Sequence, residues 1–372
     1  MKKHWLLLSV LVLVVALFGS LVSACGEDEA TTTTAAATAT TAAGATDTTA
    51  AGGESTTVVT TGETVVLKMA SAATGNYVDI EQEFVDAFNA RCAPAYVIEF
   101  YPSEQMLGFF EMLDGIRTNA CDLAALTPNF YSADDERLGV VELPFLLNNL
   151  QAHIAAIPKL MPLYGGILEE KFNQKLVGLH NYTGMALLSK KPVKTLDDWK
   201  GLLVQSLSPI TADMLASLGA SPVTGQPYTE GYSLLEKGTV DAVINAPASM
   251  RIFSLTDVAK YCTWAYMTPA VHGYSVNLDV WNSLPPDIQT ALSEEAVKNS
   301  AYIDEWMVDE WERDKAAILE AGVEIYEVPQ DELDKWKAAC QPVWDEQMAK
   351  LGEFGQQVKA ICDEANAQYP NQ

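Results

Sequence analysis

The run Thr64-Val65-Val66-Leu67-Lys68-Met69, followed by an amphipathic stretch from Val78 to Asn89 and then by Tyr96-Val97-Ile98-Glu99-Phe100-Tyr101, decides the fold class. The first and third segments are short, β-branched and aromatic, as strands are, whereas the middle one carries apolar residues at helical spacing. A further helix is predicted over Gln105 to Thr118 and a strand at Asp122-Leu123-Ala124-Ala125-Leu126. Strand, helix, strand, helix, strand is the signature of a parallel sheet covered by helices. The loops after such strands are where an open α/β sheet places its ligand. Here they are Ser71–Tyr77, Tyr101–Gln105 and Thr127–Tyr131.

Working outward, the second half repeats the theme. Strands are predicted at Leu176 to Asn181, Ala186 to Ser189, Leu202 to Gln205 and Thr239 to Asn245, with helices over Ile210 to Leu218 and Thr229 to Glu236. Gly238 stands where a left-handed helix cap belongs. After the apolar run Tyr274 to Val280, a helix beginning at Pro286-Asp287 can continue to about Glu320, roughly 50 Å at the usual rise, long enough to touch two lobes. No Gly/Ser/Pro-rich linker interrupts the chain after Glu63, so any lobes are joined by short crossings.

The N-terminus is of another kind. Met1-Lys2-Lys3-His4 precedes an apolar run from Leu6 to Val22 that ends in Ser23-Ala24-Cys25. This resembles a bacterial lipoprotein signal peptide, with residues 1–24 removed and Cys25 lipidated; an uncleaved anchor and an ordinary secretory signal are the alternative readings. Residues 25–62 are rich in Thr and Ala and hold no aromatic residue, so they bury too little to order and read as a tether reaching about 30 Å. The whole chain of 372 residues has 49 acidic against 23 basic side chains, a formal charge of -26. That excludes adhesion to nucleic acid or to anionic lipid by charge, so any membrane attachment has to be covalent or an inserted segment.

Five blocks in order carry a family resemblance: Glu142-Leu143-Pro144-Phe145; Lys191-Pro192-Val193-Lys194-Thr195-Leu196-Asp197-Asp198-Trp199-Lys200-Gly201-Leu202; Leu218-Gly219-Ala220-Ser221-Pro222-Val223; Glu230-Gly231-Tyr232 through Gly238-Thr239-Val240-Asp241; and Trp281-Asn282-Ser283-Leu284-Pro285-Pro286-Asp287. Together they resemble the DctP-type solute receptors of TRAP (tripartite ATP-independent periplasmic) transporters. The resemblance implies a periplasmic-binding-protein-like α/β fold of two lobes, joined by crossing strands and a long helix, with a cleft that closes on a small organic solute. The solute is then delivered to the membrane subunits of a sodium-coupled TRAP permease. Lobe I is expected over 63–183 plus about 271–305, and lobe II over 184–270 plus about 306–372. Most of the matching residues have a plain structural reading as helix starts, stops and core.

The departures say more about the ligand. In the family, the strand after the Asp-Asp-Trp-Lys-Gly-Leu segment usually carries an arginine that grips a carboxylate through paired hydrogen bonds. Gln205 stands there, and Met185 stands near the place of a second arginine, while the family's cleft asparagine is kept as Asn245. The chain has only five arginines: Arg91, Arg117, Arg137, Arg251 and Arg313; Arg251 is the nearest to a cleft segment but reads as a surface residue of the following helix. A neutral, aromatic or weakly acidic solute is therefore expected, oriented by Gln205 and Asn245 and flanked by rings. The candidate walls are Tyr77, Tyr131, Tyr182, Trp264 and Tyr274 with His272, each of which has core packing as its competing role. Lys68 or His272 as a positive partner keeps a monocarboxylate open.

Cys92 and Cys121, each just ahead of a predicted strand, are expected to pair in an oxidising compartment; Cys340 and Cys362 on successive helices form a second candidate pair, leaving Cys262 as a free buried thiol. Nothing points to a cofactor, a metal or an enzyme: the histidines stand alone and no nucleophile or phosphate-binding motif occurs. Asp304, Glu305, Asp309, Glu310 and Glu312 read as the solvated face of the long helix opposite Trp306, Met307 and Trp311. A monomer is expected. A receptor addressing a sensor kinase is the rival to transport, with an exported enzyme behind it.

Overall fold

Alternation of inward Leu67 and Met69 with outward Val66 and Lys68 makes the first run a strand with one buried face, and the same logic builds the rest of the first lobe. The computed structural model describes residues 62–371; the expected signal segment, Cys25 and all but the last residue of the tether lie outside the described residues. In lobe I the chain forms β1 (Val65–Ala70), α1 (Asn76–Cys92), β2 (Tyr96–Tyr101), α2 (Met112–Arg117), β3 (Leu123–Leu126), α3 (Leu150–Phe172) and β4 (Gln174–Gly184). Lobe II follows as β5 (Ala186–Ser189), β6 (Leu203–Gln205), α4 (Pro209–Ser217), β7 (Ser221–Val223), α5 (Gly231–Lys237), β8 (Ala242–Asn245), α6 (Pro247–Ile252), α7 (Leu255–Val258) and β9 (Tyr261–Trp264). The chain then returns through β10 (Pro269–Asn277), α8 (Leu278–Ser283) and the 35-residue α9 (Pro286–Glu320), and ends with β11 (Glu324–Glu327), α10 (Gln330–Ala339) and α11 (Gln341–Gln368), which is broken at Gly352.

Two sheets result, ordered β2-β1-β3-β10-β4 and β11-β9-β5-β8-β6-β7. They are mixed rather than parallel throughout. In the first, β1 pairs in parallel with β2 and β3, but the returning β10 enters antiparallel between β3 and β4. The helix predicted over Gln105 to Thr118 is reduced to a single 3-10 turn at Phe109–Glu111 and α2, while Gly238 caps α5 at φ 72°, as its position required.

The sheet order also overturns the cysteine pairing. Cys92 and Cys121 are both free. They precede β2 and β3, which are not neighbours because β1 runs between them. Two strand spacings of about 4.8 Å exceed what a disulfide spans. Cys340 and Cys362 are free as well, buried in different hydrophobic clusters, and Cys262 is a free buried thiol.

The crossings between the lobes are short. β4 passes into β5 through Met185 alone, and β9 returns to β10 through residues 265–268. The two crossings hydrogen-bond each other, Met185 N–H to Thr268 O and Met267 N–H to Met185 O, both at 3.1 Å. α9 is the third connection, packed on α1 and β4 along one part and on α6 along another. Its approach to β4 is close because Gly178 has no side chain: a Cβ there would stand 2.8 Å from Ser300 Oγ and 3.0 Å from the Ala296 carbonyl. Beside it, a Cβ on Gly273 of β10 would stand 2.4 Å from the Gly178 carbonyl oxygen, a backbone atom that cannot step aside.

Gly273→Ala is therefore expected to cost about 1–3 kcal/mol and to lower the melting temperature by several degrees in circular dichroism. Gly166→Ala in α3, where a Cβ meets open space, is expected to raise it slightly. Equal effects from the two substitutions would refute this account of the packing.

Candidate functional site

The loop leaving β1 and the segments leaving β3 and β8 converge where the crossings meet, and between them lies a cavity of about 250 Å³. Lobe I contributes residues 72–77, Phe109, Phe110, Phe130, Tyr182, Thr183 and His272; lobe II contributes Met185, Leu207, Gln226, Tyr228, Asn245 and much of α6; α9 contributes Trp306, Met307, Glu310, Trp311 and Asp314. The rings of Phe109 and Tyr228, from opposite lobes, lie tilted to each other with centroids 5.9 Å apart. A cleft with aromatic walls and a few fixed polar groups suits a small solute with an apolar body.

Tyr77, Tyr182, Met185, Asn245 and His272 are brought together on this cavity. Gln205, Tyr131, Trp264 and Tyr274 are not among its lining residues. Gln205 ends β6 fully buried, with Nε2 donating to the Pro227 carbonyl at 2.9 Å and Oε1 buried without a hydrogen-bond partner. Tyr131 donates its hydroxyl to the Phe109 carbonyl at 2.8 Å and braces a wall residue from behind. Trp264 packs on Trp311, ring centroids 4.5 Å apart, and Tyr274 donates to Asn299 Oδ1 at 2.7 Å in the core of lobe I. Lys68 is exposed on β1 and lies outside the cavity lining.

Two polar features give the cavity its chemistry. Asn245 is 3% exposed; its Oδ1 accepts from Ala246 N–H at 2.9 Å, and its Nδ2 is a buried donor without a partner. Leaving such a donor unpaired costs about 1–3 kcal/mol, which a ligand acceptor would restore. The second is Arg251, which lines the cavity although its side chain stays about half exposed on the following helix, as its place there suggested. Its Nε donates to Asp314 Oδ1 and its Nη2 to Glu310 Oε1, each at 3.0 Å. The solvated-face reading of the long helix fails at these positions. Glu305, Asp309 and Glu312 are exposed, but Asp304 and Glu310 are buried, as is Asp314, whose carboxyl burial pushes up to about 6 against the pull of Arg251.

Beneath the wall, His272 accepts from or donates to Thr127 Oγ1 at 2.7 Å through Nδ1, and its Nε2 lies 3.7 Å from Glu81 Oε1. Glu81 is wholly buried on α1, and the Ser71 hydroxyl beside its carboxyl only partly offsets that burial. Burial raises its carboxyl to about 8 and lowers the His272 imidazole to about 3. The contact is thus between a neutral acid and a neutral ring, not an ion pair, and His272 does not supply the positive charge that a carboxylate needs.

The residues that sequence reasoning missed are mostly rings from separated segments, Phe109, Phe110, Tyr228 and Phe253, for which no local pattern exists, whereas Phe130 lies in the Thr127–Tyr131 loop that strand position marks. Glu310 and Asp314 did carry a signal: their four-residue spacing puts both on one helix face, opposite an arginine in a chain that has few.

The geometry has a known counterpart. A family model described as DctP, bacterial extracellular solute-binding protein, family 7, matches residues 68–351. The chain belongs to the DctP family. It is 27% identical over 261 residues to the C4-dicarboxylate-binding periplasmic protein DctP of Rhodobacter capsulatus, covering 68% of this chain and 77% of that one. It is 25% identical over 254 residues to the 2,3-diketo-L-gulonate-binding periplasmic protein YiaO of Escherichia coli K12, covering 66% and 75%. Among solved structures, DctP7 of Bordetella pertussis, an extracytoplasmic solute receptor binding pyroglutamic acid, superposes with a TM-score of 0.74 at 20% identity, over 80% of this chain and 99% of that one. A TRAP periplasmic solute-binding protein of Desulfovibrio salexigens with bound orotic acid gives 0.72 at 18% identity, over 82% and 99%. This chain is thus an extracellular solute-binding protein of the DctP family, with two lobes and a long helix as in the superposed structures, and no helix among the described residues is long and apolar enough to cross a membrane.

Glu81 has a consequence for stability. Its folded pKa lies above the unfolded value, so its contribution is full at low pH and is lost as pH rises from about 4.5 through about 8. Glu81→Gln keeps the shape and removes the ionisation. It is expected to raise the melting temperature relative to wild type more at pH 8.5 than at pH 5, as about one to several degrees in thermal denaturation; a pH-independent difference would contradict the neutral-acid assignment.

Proposed function

We propose that the protein captures a small organic solute between its lobes by closure, holds it unchanged rather than catalysing a reaction on it, and delivers it to the membrane subunits of a TRAP-type permease, remaining at the outer face of the membrane as a monomer tethered by lipid on Cys25. The observation that carries the binding reading is the aromatic-walled cavity between the lobes, with Asn245, whose buried Nδ2 has no protein partner, among its lining residues. Tyr77, Tyr182, Met185 and His272 are the contacts proposed around it, with Gln205 and Tyr131 supporting the loops behind the wall. Family membership supports the permease as the recipient, and relatives named for organic acids support a solute of that size. Closure follows from the three connections: a ligand touching both walls favours whichever arrangement lets it touch both, and the crossings at Met185 and residues 265–268 are short enough to act as hinges.

The test is native mass spectrometry of gently purified protein, which is expected to show a small molecule released on unfolding. Asn245→Ala is expected to retain about a tenth of it or less, with a melting temperature within a few degrees of wild type. Equal retention by the variant would remove Asn245 from the site. Absence of any bound molecule, together with no change in radius of gyration on adding solutes, would remove the receptor reading itself.

A further inference from the structure

The backbone at the crossings is strained in a way that the rest of the molecule avoids. Among the described residues, seven other than glycine have a positive φ, between 53° and 85°. Ser103, Glu104, Asn119, Asn173 and Ser254 are polar residues of turns and helix ends. The other two are Thr183, at 85°, and Phe145, at 55°. A β-branched or bulky side chain crowds its own backbone at such angles, and it stays there only where its surroundings hold it.

Both stand where the lobes are joined. Thr183 is two residues ahead of Met185, the single residue that takes β4 into β5. Phe145 donates its backbone N–H to the Met267 carbonyl of the second crossing at 2.7 Å, and Met267 N–H donates to Met185 O. One hydrogen-bonded chain therefore links the two strained segments through both crossings.

At Thr183 the strain has an identifiable cause. β10 pairs Val271 with Asn181 and Pro269 with Gly184, so three steps along β4 answer two along β10, and the extra residue makes a bulge at Tyr182-Thr183. A bulge re-aims side chains, and here Tyr182 lines the cavity with its ring stacked on His272, centroids 5.2 Å apart. Contacts from the other two connections hold the bulge. Asn181 Oδ1 accepts from Thr183 N–H at 3.1 Å, while Asn181 Nδ2 donates to Asp304 of α9 at 2.6 Å. Gly184, next along, lies so close under Tyr266 of the second crossing that a Cβ would stand 2.4 Å from its ring. All three interlobe connections thus meet at this bulge.

We propose that the bulge is a loaded hinge: the strained backbone of Thr183 belongs to the closed arrangement, in which the lobes meet across the cavity, and it relaxes when they part. The inference rests on the closure reading above and names what opposes closure. The restraints on Thr183 come from α9 and from the second crossing, so they move relative to β4 when the lobes turn, and the strain then has nothing to hold it. Contacts of the solute with both walls keep the hinge shut against this strain, and the hinge reopens once they are lost.

Thr183→Gly and Thr183→Ala separate strain from side chain, since both remove the hydroxyl and the branch but only glycine adopts φ 85° freely. The measurements are small-angle scattering and amide exchange at Met185 and Met267, on protein freed of bound molecules by unfolding and refolding. Wild type is expected to be mostly open, and Thr183→Ala to stay within about threefold of its open-to-closed ratio. Thr183→Gly is expected to move that ratio about tenfold towards closed and to slow exchange at both amides by a similar factor. Thr183→Asn, a side chain tolerated at positive φ, is expected to shift the same way by less, which keeps the test open should glycine loosen the strand. Ser254→Gly relieves a positive φ inside lobe II, between α6 and α7, and is expected to change neither readout. Equal behaviour of the glycine and alanine variants would overturn the hinge. So would a higher melting temperature in Thr183→Gly with scattering and exchange unchanged, because the strain would then be common to both arrangements. Failure of the closure reading is a separate result: wild type itself would keep one radius of gyration with and without its co-purified molecule.

Discussion

The contact of α9 with β4 is the constraint on which the rest depends. Gly178 lets the helix lie close to the strand, and Asp304 pins it there, its Oδ1 accepting from both the backbone N–H and the side-chain amide of Asn181 at 2.9 and 2.6 Å. Asp304 is buried, so these two donors are what make its burial tolerable, although its carboxyl is still held up at about 6. From that anchor the same helix carries Trp306, Glu310, Trp311 and Asp314 to the cavity. A shift of the helix on the strand would move one wall of the cleft and the support of its only lining guanidinium among the described residues together.

The cleft combines unusual frugality in charge with careful placement of it. The overall excess of acid suggests a surface hostile to anionic solutes, but at the cavity the acids are buried behind Arg251 and serve to aim it. Deeper in, Glu81 and His272 are kept neutral by burial. The field that a solute meets is therefore set by one guanidinium and one amide within rings, rather than by the formal charge of the chain.

Much of the architecture was legible in the sequence because it depends on local periodicity. The β1-α1-β2 pattern, the 35-residue α9 from Pro286 and the Gly238 cap each follow from residues within a few positions of one another. Of the cleft, Tyr77, Tyr182, Met185, Asn245 and His272 could be named because the family pattern and the loop positions mark their segments. Gln205 and Tyr131 could not be separated from these in advance: strand position predicts which end of a sheet a residue occupies, but not whether its side chain turns to the cavity or, as with Gln205, to the Pro227 carbonyl.

What the sequence determined by itself was the family and the two-lobed α/β class, since these rest on residue identity and short-range spacing. What only the tertiary structure decided was strand order and partnership at long range. β1 lies between β2 and β3, so Cys92 and Cys121 remain apart; β10 enters antiparallel; and Arg251 meets Glu310 and Asp314 from some sixty residues away. Such contacts carry no local signature, because the free energy that selects them comes from packing and desolvation summed over segments distant in the chain.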